Sequence, residues 1–316
     1  MVKKLFTITV ALITALFFSE ILIGSMLGFP KYGVEVKMKG LRCSPGHQNI
    51  YKPYSKYWNS KGKFEIYKRN NLGLPGIDCD TGVNSKYVCI LGSSFIENNY
   101  IKPEALSTSV MQNLLKDTDK NYNVLNLGYN GYDPYDSYRR IYYYEKKFKP
   151  ETVILVINAY NSDSYRLTEN PFELNSDLFT IDNTFRTKIN LLIRNNLSCA
   201  RLMLTLVQGA NAEQVVEPSV EPPDANKVDL TDLEICLMQF DKKYKEKFIC
   251  VSIMNNDTIN MRIDSFCKLN NIKFEYSNLM IPENQIIGDW HLNENGNSKL
   301  GYFLNQIYTK HYLHRK

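Results

Sequence analysis

The chain has four histidines, and only His291 has an acid close by. It stands in Gly288-Asp289-Trp290-His291-Leu292-Asn293-Glu294-Asn295-Gly296, two residues after Asp289 and just before a stretch with helical spacing. A carboxylate against an imidazole orients the ring and stabilises its charged form, as the base of a hydrolase requires. His311 and His314 lie in the basic C-terminal tail, and His47 lies in a Ser-Pro-Gly loop. A base at His291 calls for a nucleophile elsewhere in the fold.

Three other segments carry side chains suited to that chemistry. They are Gly92-Ser93-Ser94-Phe95-Ile96-Glu97, Gly128-Tyr129-Asn130-Gly131-Tyr132-Asp133 and Asn158-Ala159-Tyr160-Asn161-Ser162-Asp163. With Asp289 and His291 they supply a hydroxyl, a backbone donor at glycine, a side-chain amide and an acid-oriented base. Acyl transfer needs that set: a nucleophile, a base to take its proton, and donors aimed at the developing oxyanion. Singly, each segment is commonplace, since a Gly-Ser-Ser run is usually only a turn. Their order along the chain, each after an apolar run or before a helix, gives them joint weight.

The elements that must position these loops are legible in the periodicity. Short apolar runs at Tyr87–Gly92, Asn123–Gly128, Thr152–Ile157 and Phe248–Ile253 predict buried strands, and Lys273–Tyr276 a short extended run. Between them, helical spacing covers 103–116, 134–147, Asp232–Lys247, 257–270 and Asn293–Tyr308. Thr231, with Glu234 three residues on, is the expected N-cap of the third of these helices, and Asp229 is the alternative cap. Strands alternating with helices predict a parallel sheet with helices on both faces, whose functional loops follow the strands' carboxyl ends. Residues 164–228 read as an insertion into one domain. It includes a helical part near Thr187–Val207 and a Pro-Glu loop at 216–223. Residues 31–85 read as a loop-rich segment leading into the domain at 86–316.

On these residues the chain resembles the SGNH/GDSL hydrolases, a family of esterases and acyltransferases. The family's Gly-Asp-Ser-Phe/Leu block stands here as Gly92-Ser93-Ser94-Phe95, and its Asn-x-Gly-x-x-Gly block as Asn126 to Gly131. Its Gly-Asn-Asp stands as Tyr160-Asn161-Ser162, after Lys149-Pro150, and its Asp-His pair as Asp289 and His291. Asn71-Leu72-Gly73-Leu74-Pro75-Gly76 resembles a segment common in membrane-anchored members. The resemblance implies a three-layer α/β/α fold with a mainly parallel central sheet, of SGNH or flavodoxin-like type. It implies Ser94 as nucleophile, with His291 and Asp289 completing a triad. The amides at Ser94 and Gly131 and the side chain of Asn161 would form the oxyanion hole. No cofactor or metal is implied. Two blocks depart from the family pattern, each lacking an aspartate that transfers no proton, and Ser93 stands as the alternative nucleophile. The Asp-x-His spacing is shorter than the common Asp-x-x-His, a form found in members with Asn two residues after the histidine. The expected activity is hydrolysis of acyl, chiefly acetyl, esters on a cell-surface or extracytoplasmic carbohydrate. The alternatives are O-acyl transfer to the same glycans, or a non-catalytic glycan-binding or assembly protein.

Composition is consistent with a large globular core, with 44% hydrophobic and 22% charged residues among 316. The net charge of +5 is dispersed, and clusters such as Lys146-Lys147-Lys149 read as solvated helix faces, so nucleic acid is not an expected partner. The 22 tyrosines read chiefly as packing residues, with a sugar-lining role as the sharper alternative for some. Lys3 and Lys4 precede an uncharged run, Leu5 to Ser19, continued after Glu20 by Ile21 to Gly28. That is long enough to cross a hydrocarbon core of about 30 Å. Residues 1–30 are therefore expected to be a signal anchor with a cytoplasmic N-terminus and an exported domain, a cleaved signal peptide being the alternative. The seven cysteines show no CxxC spacing. Cys89 and Cys250 read as buried, and Cys43 with Cys79 as a pair an exported domain allows.

Overall fold

Five short strands line up side by side, all in one direction, and the inner three are apolar on both of their faces. The computed structural model describes residues 2–27, 32–38, 47–58, 65–158, 179–181 and 229–313. In chain order its strands are β1 (Tyr32–Met38), β2 (His47–Tyr51), β3 (Lys56–Trp58), β4 (Ile66–Lys68), β5 (Lys86–Leu91), β6 (Tyr122–Asn126), β7 (Thr152–Ile157), β8 (Phe179–Ile181), β9 (Phe248–Ser252) and β10 (Phe274–Tyr276). The central sheet has the order β10-β9-β7-β5-β6 and is parallel throughout. From β5 the chain steps outward to β6, then crosses back to β7 on the other side of β5 and continues to β9 and β10. The connections leaving β5 and β7 therefore part company at the carboxyl edge, the switch point where such sheets open a crevice.

Residue alternation divides the sheet's two faces. Val88 and Ile90 of β5, with Ile154 and Val156 of β7, face α3 (Ser107–Thr118) and the last α-helix, α7 (Glu294–Tyr308). Cys89 and Leu91, with Val153 and Leu155, face α4 (Pro134–Phe148), α5 (Thr231–Tyr244) and α6 (Asp257–Leu269). Phe240 of α5 is fully buried and stacks on Phe248 of β9 at 4.9 Å between ring centroids. Burying a side chain of that size stabilises by about 1.5–3 kcal/mol. Tyr135, Tyr138 and Tyr144 of α4 belong to the same cluster, so these tyrosines pack rather than line a cleft.

Several elements begin elsewhere than periodicity predicts. The helix expected from 103 is a single 3-10 turn, Pro103–Ala105, then an extended Leu106, and only then α3. Thr231 does not cap α5 but is its first residue, and the Asp229 carboxylate accepts the Thr231 N–H at 2.9 Å. The N-cap position is Leu230, which makes no side-chain bond to the helix, so neither expected residue is the cap; Asp229, one residue further out, reaches only the Thr231 amide. Residues 31–85 are not merely loop. β1 pairs antiparallel with β2 and with β8, and β3 with β4. His47 accordingly opens a strand. The signal was a period of two in Val34-Glu35-Val36-Lys37-Met38, whose partner β8 lies more than 140 residues away, inside the proposed insertion. The remainder of that insertion, including Thr187–Val207 and 216–223, lies outside the described residues.

Cys79 is free and buried, and Cys43, its expected partner, lies outside the described residues. The Cys79 Sγ sits 3.9 Å from Asn70 Nδ2 and 3.8 Å from Gln112 Oε1. At the N-terminus α1 spans Val2–Leu27, and its described apolar side chains, Ile8, Leu12, Leu16, Phe17, Phe18 and Leu22 among them, are exposed. The side chains described on it are those of 7–12 and 14–22. Among the described residues no helix is long and apolar enough to cross a membrane.

Candidate active site

β5 ends at Leu91, and the chain turns through Gly92 directly into the short helix α2 (Ser94–Glu97). Ser93 is the N-cap. Its Oγ accepts the Phe95 N–H at 3.4 Å and donates to Asn158 Oδ1 at 2.7 Å. Asn158 is the first residue after β7, so this bond spans the switch point. Ser94 opens the helix, and its carbonyl accepts the N–H of Asn98, which ends the helix in a left-handed conformation. The Asn98 side chain then donates to the Leu292 carbonyl at 2.8 Å, joining α2 to the residue after the histidine.

The histidine is delivered by a tight, hydrogen-bonded loop. Gln285 and Leu292 form an antiparallel bridge, the Ile286 N–H donates to the His291 carbonyl at 2.8 Å, and the Asp289 N–H to the Ile286 carbonyl at 2.9 Å. Asn293 caps α7 by accepting the Gly296 N–H, and its amide donates to the carbonyls of Glu283 and Gln285. Asn297 Nδ2 reaches the Leu292 carbonyl from inside the helix at 2.9 Å. With its flanks held, Asp289 Oδ1 accepts the His291 backbone N–H at 2.8 Å and contacts His291 Nδ1. A proton on Nδ1, shared with the carboxylate, leaves Nε2 as the basic nitrogen. Nε2 is shielded from solvent and has no hydrogen-bond partner. The ring stacks on Phe95 at 4.9 Å, and Tyr100 meets it edge-on at 4.9 Å. Phe95 follows Ser94, so the imidazole lies beside the start of α2. Between the two polar residues, Trp290 is 72% exposed.

The loop after β6 closes over the same helix. Asn126, buried at the strand's end, donates to the Ile96 carbonyl at 2.7 Å and accepts the Gly128 N–H at 3.1 Å. Gly128 touches α2 so closely that a Cβ there would lie 2.5 Å from the Glu97 nitrogen. The Tyr129 N–H donates to the Gly92 carbonyl at 3.1 Å, and Gly131, at φ +77°, sits in the turn closed by the Tyr132 N–H on the Tyr129 carbonyl. That left-handed conformation is one a side chain would strain.

Of the residues picked from sequence, Ser94 opens α2, and His291, held by Asp289, packs on Phe95 beside it with no hydrogen bond from Nε2 to Ser94, while the loop bearing Gly131 is bonded to the same helix. Asn161 lies outside the described residues. Among the described residues, Asn158, just past β7, meets the serine loop through its bond with Ser93. Sequence reasoning quoted Glu97, Asn126 and Asn158 within its candidate segments without giving them a role, and passed over Asn98. Their common signal was a polar side chain at or just past the end of an apolar run, where burial demands a specific partner. Among the described residues no group of three or more His, Cys, Asp or Glu side chains is placed to hold a metal ion.

No protein-family model matches the sequence, and no curated protein matches it. Solved structures do resemble it. The psychrotrophic esterase EstA from Pseudoalteromonas sp. is 10% identical, with a TM-score of 0.43, covering 73% of this chain and 100% of its own. A lipolytic protein of the G-D-S-L family from Veillonella parvula is 13% identical, with a TM-score of 0.39, covering 72% and 100%. A two-domain esterase active on acetylated mannans is 13% identical, with a TM-score of 0.41, covering 72% of this chain and 49% of its own. The G-D-S-L family, whose blocks the sequence resembles, is thus also represented among the solved structures similar to the chain.

Proposed function

We propose that the chain is a serine ester hydrolase of the SGNH/GDSL type. The observation that carries this is the Asp289–His291 pair, with a shielded, unpartnered Nε2 packed on the side chain next to Ser94. In the proposed reaction His291 Nε2 takes the proton as Ser94 Oγ bonds to the ester carbonyl carbon. The amides at Ser94 and Gly131, with Asn161, receive the oxyanion, and each such donor is worth about 3 kcal/mol of barrier. Collapse expels the alcohol, which takes the proton from His291. Water, activated by the same ring, releases the acyl group from Ser94.

The substrate class proposed is a carbohydrate bearing acetyl or similar esters outside the cytoplasm. The apolar N-terminal run, with residues 1–30 as anchor and N-terminal lysines left inside, supports that location. A sugar hydroxyl in place of water would make the same residues an O-acyltransferase.

A fluorophosphonate probe tests the reading without knowledge of the substrate. The full chain should be labelled at Ser94, and Ser94→Ala or His291→Ala should abolish labelling. Labelling that survives Ser94→Ala, or a wild type that never reacts, would overturn it. Wild type that fails to react while still binding polysaccharide would point instead to a glycan-binding protein. Acetyl appearing on an added glycan acceptor would identify transfer.

A further inference from the structure

The far end of α2 carries a buried charge that the proposed chemistry does not use. Glu97 is 3% exposed, and its carboxylate is divided between two partners. Oε1 meets Arg69 Nη2 at 3.3 Å, and Oε2 accepts the backbone N–H of Asn130 at 2.8 Å. Asn130 immediately precedes Gly131. Arg69 is also 3% exposed, donates to Asn99 Oδ1 at 3.3 Å, and lies 3.7 Å from the Tyr51 ring centroid and 5.2 Å from that of Tyr57. Packing alone gives no reason for an ion pair here, since apolar side chains of similar size commonly serve as well or better. What a carboxylate adds is a strong, directional acceptor for a backbone amide.

That amide belongs to the one loop whose placement relative to Ser94 matters most. Oxyanion donors act by being in place before charge develops, so the loop must not relax as the carbonyl becomes tetrahedral. Near Gly131 the loop's ties to the serine segment include the Tyr129 N–H on Gly92 and the Asn130 N–H on Glu97. We propose that Glu97 is a positioning residue, clamping the loop of Gly131 to the helix of Ser94, with Arg69 as its counter-charge. The proposal rests on the ester-hydrolase reading. It also gives the segment before the sheet a function, since Arg69 and its two tyrosine platforms lie there.

Two double variants separate positioning from packing. Arg69→Met with Glu97→Gln keeps an acceptor for the Asn130 amide, whereas Arg69→Met with Glu97→Leu removes it. Both remove the Arg69–Glu97 pair together, and both leave the buried Arg140 without the Glu97 charge, so that loss is common to the two. Each full-length protein, in detergent, is followed by p-nitrophenyl acetate turnover, fluorophosphonate labelling, thermal melting and amide hydrogen exchange across 127–133. Both should melt cooperatively at similar temperatures. The leucine variant should lose about a hundredfold in kcat against the glutamine variant with KM changed by no more than about twofold. Its 127–133 amides should exchange faster. Equal kcat, or equal exchange, in the two variants overturns the positioning role alone. A wild type not labelled at Ser94 overturns the hydrolase reading, and the positioning role with it.

Discussion

At Ser93 the side-chain oxygen already has two partners, Asn158 Oδ1 and the Phe95 N–H. A hydroxyl so engaged is poorly placed to attack a carbonyl, and this favours its neighbour as nucleophile. Ser93→Ala is therefore expected to remove a cap, at about 1 kcal/mol of stability, while leaving fluorophosphonate labelling intact. Thermal melting and the labelling assay check the two halves, and loss of labelling would reassign the nucleophile to Ser93. Ser93, standing where the Gly-Asp-Ser block has aspartate, reaches across the switch point to the first residue after β7. His291 was legible from its neighbour Asp289. Its shielded Nε2 was not, because that depends on Phe95 and Tyr100, nearly 200 residues earlier.

Among elements, the strands were the most legible, because a parallel strand buried on both faces is a nearly continuous apolar run. β5, β6, β7 and β9 lie within one or two residues of the runs at Tyr87, Asn123, Thr152 and Phe248. The edge strand β10 was harder, having only three residues, and its outer flank depends on the chain's end. There the Glu275 carboxylate takes Lys310 Nζ at 2.6 Å and His311 Nε2 at 2.8 Å. Burial pushes the Glu275 carboxyl up, but the hydrogen bonds from Lys310 and His311 outweigh it and hold the group below its ordinary 4.5. A carboxyl depressed in the folded state adds stability above its unfolded pKa and loses that contribution as pH falls through the folded value. Glu275→Gln should accordingly lower the melting temperature at pH 7. The gap from wild type should close as the pH falls through 4.5 and below, the ordinary value. A melting series from neutral to acidic pH checks this, and a constant gap would refute it.

For the molecule as a whole, the described cysteines lie within the packed layers. Cys89, Cys236, Cys250 and Cys267 are free and buried in the cluster under α4, α5 and α6, and Cys79 joins them. Burial pushes the Cys79 and Cys267 thiols up to about 12, and those of Cys89, Cys236 and Cys250 upward as well. Iodoacetamide at neutral pH should leave these five unmodified in the native chain and modify them after unfolding in guanidinium, as read by mass spectrometry of their peptides. Rapid native modification of Cys79 would contradict its burial. The sequence by itself determined the strand–helix alternation, the order of the candidate loops and the acid beside His291. Each of these is written in neighbours along the chain, as periodicity or as a short motif. Only the tertiary structure decided which loops meet: Ser93 with Asn158, Asn98 with Leu292, Glu97 with both Arg69 and Asn130, and β1 with β8. Those contacts join residues far apart in the chain, and the first of them arises because the sheet order sets the carboxyl ends of β5 and β7 side by side.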